Sequence, residues 1–67
     1  MTIIFEKKLY KLGAIKRAIS AFSELAEFKI QEKAKAYMVT LHKSDEEAGL
    51  RLCDEFANYV LAEMRNG

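Results

Sequence analysis

The sequence contains no proline, no tryptophan and only three glycines among its 67 residues. No Gly-, Pro- or Ser-rich linker divides it, and a chain of this length is too short for two ordinary domains. A single cysteine excludes an internal disulfide framework, and one cysteine with one histidine cannot form a structural zinc site without several carboxylates. We therefore expect one small domain over residues 1–67, without a metal or other cofactor.

The chain also lacks an excess of charge of either sign. The chain has eleven basic and ten acidic side chains, so its net charge is +1. Nucleic-acid-binding domains usually carry a clear basic excess. No apolar run approaches the 18 or more residues of a membrane span, and the N-terminus does not have the order of a secretory signal. The hydrophobic fraction of 51% is sufficient for a packed core. These features predict a globular cytoplasmic protein.

Three segments alternate apolar and polar side chains with the period of a β-strand. They are residues 2–8, 27–32 and 36–42. In the first, Ile3 and Phe5 share one face, and Ile4 lies on the other face with Glu6. The connection between the second and third segments is three residues long, which favours a hairpin.

Two segments repeat apolar residues at intervals of three and four, which predicts amphipathic helices. They are residues 12–26 and 45–65. The first helix is poorly capped, because Lys11 stands where a serine, threonine, aspartate or asparagine is usual. The second begins with Ser44 and Glu47, a spacing that is typical of a capping box. We expect Phe22, Phe56 and Val60 to lie deep in the core.

The order of elements is β-α-β-β-α, which predicts an α+β fold of two layers. Both helices should cover one face of a three-stranded sheet, in the ferredoxin-like arrangement without its last strand. By that analogy the third strand lies in the centre. The outer edge of the first strand should then be unpaired.

The apolar arc of the second helix is wider than one core-facing stripe requires. Leu52 and Tyr59 lie towards one border of this arc, and Leu50 and Leu61 towards the other. Either a very small protein uses a broad stripe to cover its sheet, or one border is covered by a partner.

The first strand offers a second candidate contact surface. Ile4 is apolar on the face that the helices should leave open, and Lys7 and Lys8 follow it. These lysines either protect a solvated edge or accompany an edge that pairs with an extended, acidic partner segment. They also argue against passive pairing with a second copy, since like charges would meet across the junction, and they suit an acidic peptide better. The candidate partner-binding residues are Ile4, Glu6, Lys7, Lys8, Leu52 and Tyr59.

No residue pattern indicates catalysis. The sequence contains no glycine-rich phosphate loop, nucleophile elbow or Cys-Xaa-Xaa-Cys pair. His42 has no catalytic partner nearby in the sequence and is expected at the surface. Cys53 lies on the central line of the apolar arc, where a free cysteine behaves as a small, inert hydrophobe. We therefore expect a protein without enzymatic activity.

The chain as a whole resembles a known protein family. The resemblance is carried by Leu9-Tyr10, Ala14-Ile15, Ala18, Phe22-Ser23, Val39-Thr40-Leu41, Phe56, Asn58, Val60 and Leu61. These residues are similar to those of the small His-Xaa-Ser system proteins (HxsD-like), which accompany radical-SAM proteins in gene systems that modify short ribosomally made peptides. The chain departs from that pattern at Lys11, Tyr59, Ala62 and Asn66.

The resemblance implies a non-enzymatic accessory domain that helps a peptide-modifying enzyme to engage its partner or substrate. The residues alone leave a second interpretation open, a small homo-oligomeric structural domain. A nucleic-acid-binding domain is a third and less favoured interpretation.

Overall fold

A computed structural model of the chain describes residues 1–43 and 45–66. The elements follow one another in the order β-α-β-β-α. They are β1 (Thr2–Glu6), α1 (Leu12–Phe22), β2 (Glu27–Glu32), β3 (Ala36–His42) and α2 (Glu46–Asn66). Among the described residues, no helix combines the length and the apolar character needed to cross a membrane.

The three strands form one antiparallel sheet in the order β1-β3-β2. The register places Ile4 opposite Met38 on one side of β3, and Ile30 opposite Val39 on the other. The backbone N–H of Lys33 donates to the Ala36 carbonyl at 2.8 Å and closes the β2–β3 hairpin. The predicted α+β fold and the central position of the third strand are confirmed.

The core lies between one face of the sheet and both helices. Phe56 of α2 is fully buried and stacks on Phe28 of β2, with ring centroids 4.9 Å apart. Its ring also lies 6.1 Å from that of Phe5 in β1 and 5.6 Å from that of Phe22 in α1. One aromatic side chain thus joins both helices and both outer strands. The predicted burial of Phe22, Phe56 and Val60 is confirmed.

Two elements end earlier than the sequence predicts. β1 stops at Glu6 because its carbonyl accepts bonds from the N–H groups of Leu9 and Tyr10, at 3.0 and 2.9 Å, which turns the chain towards α1. α1 stops at Phe22, whose carbonyl accepts the Leu25 N–H at 2.9 Å in a turn. This turn leads the chain into β2 at Glu27. The residues after Phe22 therefore do not continue the helix, although their apolar spacing predicts that they would.

The start of α2 is capped by Asp45. Its Oδ1 accepts the backbone N–H groups of Glu47 at 3.0 Å and Ala48 at 3.4 Å, as an N-cap aspartate does. The predicted capping box involved Ser44, which lies outside the described residues. At the start of α1, Lys11 makes no side-chain cap, in agreement with the sequence prediction.

Candidate interaction surface

The backbone of β1 has one side bonded to β3 and one side directed away from the sheet. Met1 and Leu41 exchange hydrogen bonds, since the Met1 nitrogen donates at 2.9 Å and its carbonyl accepts at 2.7 Å. The Lys7 N–H donates to the Lys35 carbonyl at 3.0 Å. Bonded pairs alternate along an antiparallel ladder, so the odd-numbered residues of β1 bond to β3. The N–H and C=O groups of Thr2, Ile4 and Glu6 point outward.

This outward side, which we call the β1 edge, retains most of its hydrogen-bonding capacity. The Glu6 carbonyl is engaged by the turn that follows the strand. Within residues 1–43 and 45–66, no backbone hydrogen bond reaches the other outward groups of Thr2, Ile4 and Glu6. Five aligned backbone groups therefore form a template for one further strand.

Four of the six predicted partner-binding residues line one groove beside this edge. Ile4, Glu6, Lys7 and Lys8 surround an open volume of about 520 Å³ together with Ala34, Lys35 and Ala36. The Ile4 side chain is 56% exposed on the open face of the sheet, which the helices do not cover. The groove thus joins an apolar floor to a charged rim.

The charge of this rim is set by which lysines are already paired. The Lys7 ammonium lies 2.8 Å from the Glu32 carboxylate and 5.2 Å from the centre of the Tyr37 ring. The hydrogen bond from Lys7, together with its charge, lowers the pKa of Glu32 below its ordinary value. Lys8 and Lys35 have no carboxylate partner within the described part of the chain. They remain available to an acidic group, and the groove also contains the Glu6 carboxylate.

The structure corrects the prediction for Leu52. Its side chain is only 7% exposed and belongs to the core, so it offers no contact surface. Tyr59 is 38% exposed, but its ring packs edge-on against Phe22 of α1, with centroids 5.4 Å apart. α1 therefore covers the border of α2 that carries these two residues.

The opposite border of α2 is exposed. Leu50 and Leu61 are 61% and 43% exposed, and a helical projection places Ala57 between them and the core. We call these three residues the open flank of α2. It faces the β1 side of the molecule, as two contacts of its neighbours show.

Cys53 and Met64 lie next to the open flank on the helical projection. The Cys53 Sγ is 3.6 Å from the Met1 Sδ, and the Met64 Sδ is 3.2 Å from the backbone nitrogen of Lys11. These contacts join α2 to the two ends of the segment that contains β1. The open flank and the β1 edge therefore lie on the same side of the molecule.

Three further side chains, those of His42, Ser23 and Cys53, carry groups that take part in catalysis in other proteins. His42 is exposed at the end of β3, opposite Glu27. The Ser23 hydroxyl, which lies in the same surface depression, donates to the Ser20 carbonyl at 3.0 Å. Partial burial raises the pKa of the Cys53 thiol, which disfavours the reactive thiolate. The described residues contain no group of three or more potential metal ligands.

Sequence reasoning found the β1 side of this surface but missed its other contributors. Ala34 and Lys35 come from the hairpin loop, and they reach the groove only because β3 pairs directly with β1. Comparison of the chain with family models, with curated proteins and with solved structures gives no significant match.

Proposed function

We propose that this protein is a non-enzymatic interaction domain that binds an extended protein segment by strand addition to β1. The observation that carries the proposal is the set of five outward backbone groups on the β1 edge, bordered by the exposed Leu50 and Leu61. An added strand would satisfy the backbone groups and cover both leucines.

The groove specifies the chemistry of the segment. Ile4 and Ala36 provide an apolar floor, and Lys8 and Lys35 provide unpaired positive charge beside it. A segment with apolar side chains and at least one carboxylate satisfies both features. A nucleic acid is less favoured, because Lys7 is already paired with Glu32 and none of the described residues that line the groove has an aromatic ring for base stacking.

The resemblance to the His-Xaa-Ser system proteins supports a more specific role. We propose that the domain acts in the cytoplasm as an accessory protein of a radical-SAM peptide-modification system. The bound segment is then part of a ribosomally made precursor peptide, held in an extended form while the enzyme acts on it. A gene for a radical-SAM protein beside the gene for this chain is the expected genomic setting.

Amide-shift mapping tests the binding mode. Addition of the precursor peptide encoded beside this chain should shift the amide resonances of Thr2, Ile4 and Glu6, together with those of Leu50 and Leu61. Ile4→Lys should abolish these shifts, whereas Gln31→Lys should preserve them. Gln31 is a matched control because it is exposed on the same open face, at the far side of β3. Shifts confined to β2 or to α1 would contradict strand addition at β1.

A further inference from the structure

We infer that the β1 edge pairs with the β1 edge of a second copy of this chain, in an antiparallel arrangement with Ile4 opposite Ile4. The second copy binds the same β1 edge as the segment of the proposed function, and in that respect the inference rests on that function. It requires no foreign segment, because the occupant is the chain itself. Three features of the surface are self-complementary about one two-fold axis.

The first feature is the backbone. In an antiparallel pair with Ile4 on the axis, the Ile4 N–H of each copy donates to the Ile4 carbonyl of the other. Thr2 of one copy then lies opposite Glu6 of the other, and its carbonyl accepts the Glu6 N–H. The reciprocal bond of this pair, from the Thr2 N–H to the Glu6 carbonyl, competes with the turn bonds that this carbonyl accepts from Leu9 and Tyr10. Four of the five free outward groups of each copy, the two of Ile4, the Thr2 carbonyl and the Glu6 N–H, therefore find a partner in the second copy.

The second feature is the open flank of α2. α2 runs in the same direction as β1, because Met1 contacts Cys53 and Lys11 contacts Met64. Two antiparallel β1 strands therefore carry antiparallel α2 helices on the same face. Ile4 lies between Met1 and Lys11 along the chain. The axis therefore passes beside α2 at a level between Cys53 and Met64.

The exposed side chains of α2 fit that position of the axis. Leu50 and Leu61 lie about 16 Å apart along the helix, on either side of its middle. The axis therefore brings Leu50 of each copy towards Leu61 of the other, with the small Ala57 near the closest approach. Both leucines are exposed in the single chain and would be covered in the pair.

The third feature is charge. Antiparallel α2 helices place the acidic first turn of one copy, with Glu46 and Glu47, next to the last turn of the other, with Arg65. Lys7 and Lys8 follow the strand, so an antiparallel pair places those of the two copies at opposite ends of the junction. The objection that like charges meet across a β1 pair therefore applies only to a parallel arrangement.

Pairing also extends the apolar surface of the open face. Met38 lies beside Ile4 within each copy, so the pair presents Met38, Ile4, Ile4 and Met38 in one row across four strands. A foreign segment that adds to β1 uses the same backbone groups and must displace the second copy. Self-association and segment binding at this edge are therefore competitive.

Sedimentation equilibrium over a hundredfold range of concentration gives the first test. The unmodified chain should convert from monomer to dimer, and no larger species should form. Ile4→Lys places two like charges next to each other on the axis and should raise the dimer dissociation constant about a hundredfold or more. Gln31→Lys adds the same charge away from the axis and should leave the dissociation constant within about threefold of the unmodified value.

A pair of complementary variants tests the register. Leu50→Asp and Leu61→Lys should each weaken self-association, since each homodimer contains two mismatched contacts. Mixed together, the two variants should form a heterodimer, which has one leucine pair and one aspartate–lysine pair. Both positions are exposed in the single chain, so neither change disturbs its core.

Three results would overturn the inference. They are a chain that remains monomeric throughout, a dimer that Ile4→Lys does not weaken, and a mixture of the two α2 variants that does not pair. None of these depends on a foreign segment. Peptide-induced shifts at Thr2 and Ile4 in a strictly monomeric chain would retain the proposed function and reject the second copy. A dimer that the precursor peptide cannot displace would retain the second copy and reject the proposed function.

Discussion

The two outer strands of the sheet differ in how their free edges are protected. β2 pairs with β3 through its odd-numbered residues, so its free edge presents the backbone of Phe28, Ile30 and Glu32. The side chains of Phe28 and Ile30 belong to the packed face, and the charged Lys29 lies between them on the open face. β1 presents the backbone of Thr2 and Ile4 and has no charged side chain before Glu6.

A charge in the middle of a strand is a common protection of a free edge against unwanted pairing. β2 has such a charge, whereas the lysines of β1 follow the strand and leave its centre apolar. The same sheet thus has one protected edge and one edge suited to association. Because of this difference, both the proposed segment and the proposed second copy are assigned to β1.

Phe56 supports both edges, and its loss should have the largest effect. Its ring contacts Phe5 of β1 and Phe28 of β2, and it is fully buried. Phe56→Ala should lower the free energy of unfolding by about 3–5 kcal/mol through lost burial and a residual cavity. A domain of this size has little more stability than that to lose. Urea unfolding followed by circular dichroism measures the change.

A matched control for this variant is Leu25→Ala. Leu25 lies in the turn after α1 and is 51% exposed, so its replacement should change the free energy of unfolding by less than about 0.5 kcal/mol. A Phe56→Ala protein that melts within a few degrees of the unmodified chain would show that Phe56 does not hold the two edges together.

Removal of the charge on β2 should create a second associating edge. Lys29→Ile leaves an apolar side chain at the centre of β2 while its free backbone groups remain. A chain with two associating edges can form open assemblies larger than a dimer. Light scattering should therefore show larger particles than the unmodified chain forms at the same concentration.

The comparison for this variant is Lys33→Ile, which removes the same charge from the exposed hairpin loop outside the strand. It should leave the particle size unchanged. If Lys29→Ile also remains at the size of the unmodified chain, the charge on β2 does not protect its edge. The difference between the two edges would then need another physical cause.

The sequence predicts the sheet more accurately than the surface. β2 and β3 have the bounds expected from their alternation, because one face of each strand packs against the core and fixes the pattern. The early ends of β1 and α1 depend on backbone bonds at Glu6 and Phe22, and apolar periodicity contains no information about these bonds.

The error at Leu52 has a different origin. A helical projection shows that Leu52 and Leu50 lie towards opposite borders of α2, but it does not show which border faces a neighbouring element. Only the packing of α1 against Tyr59, through Phe22, decides that the Leu52 border is covered. The exposed flank is therefore a property of the tertiary arrangement and not of the helix alone.

The smallest predicted effect concerns the ion pair between Lys7 and Glu32, which joins the end of β1 to the end of β2. The Glu32 pKa is lowered chiefly by its hydrogen bond with Lys7, so Lys7→Met should raise that pKa towards the ordinary glutamate value. A lowered pKa in the folded state contributes stability above the unfolded pKa, and this contribution is lost as the pH falls through the folded value. The contribution is small because Glu32 is exposed to solvent and Lys7 is only partly buried. The Glu32 carboxyl carbon shift, followed by NMR during an acid titration, measures the change, and Lys8→Met should leave it unaffected. An unchanged Glu32 pKa in Lys7→Met would show that Lys7 is free in solution, and the groove beside Ile4 would then carry three available positive charges instead of two.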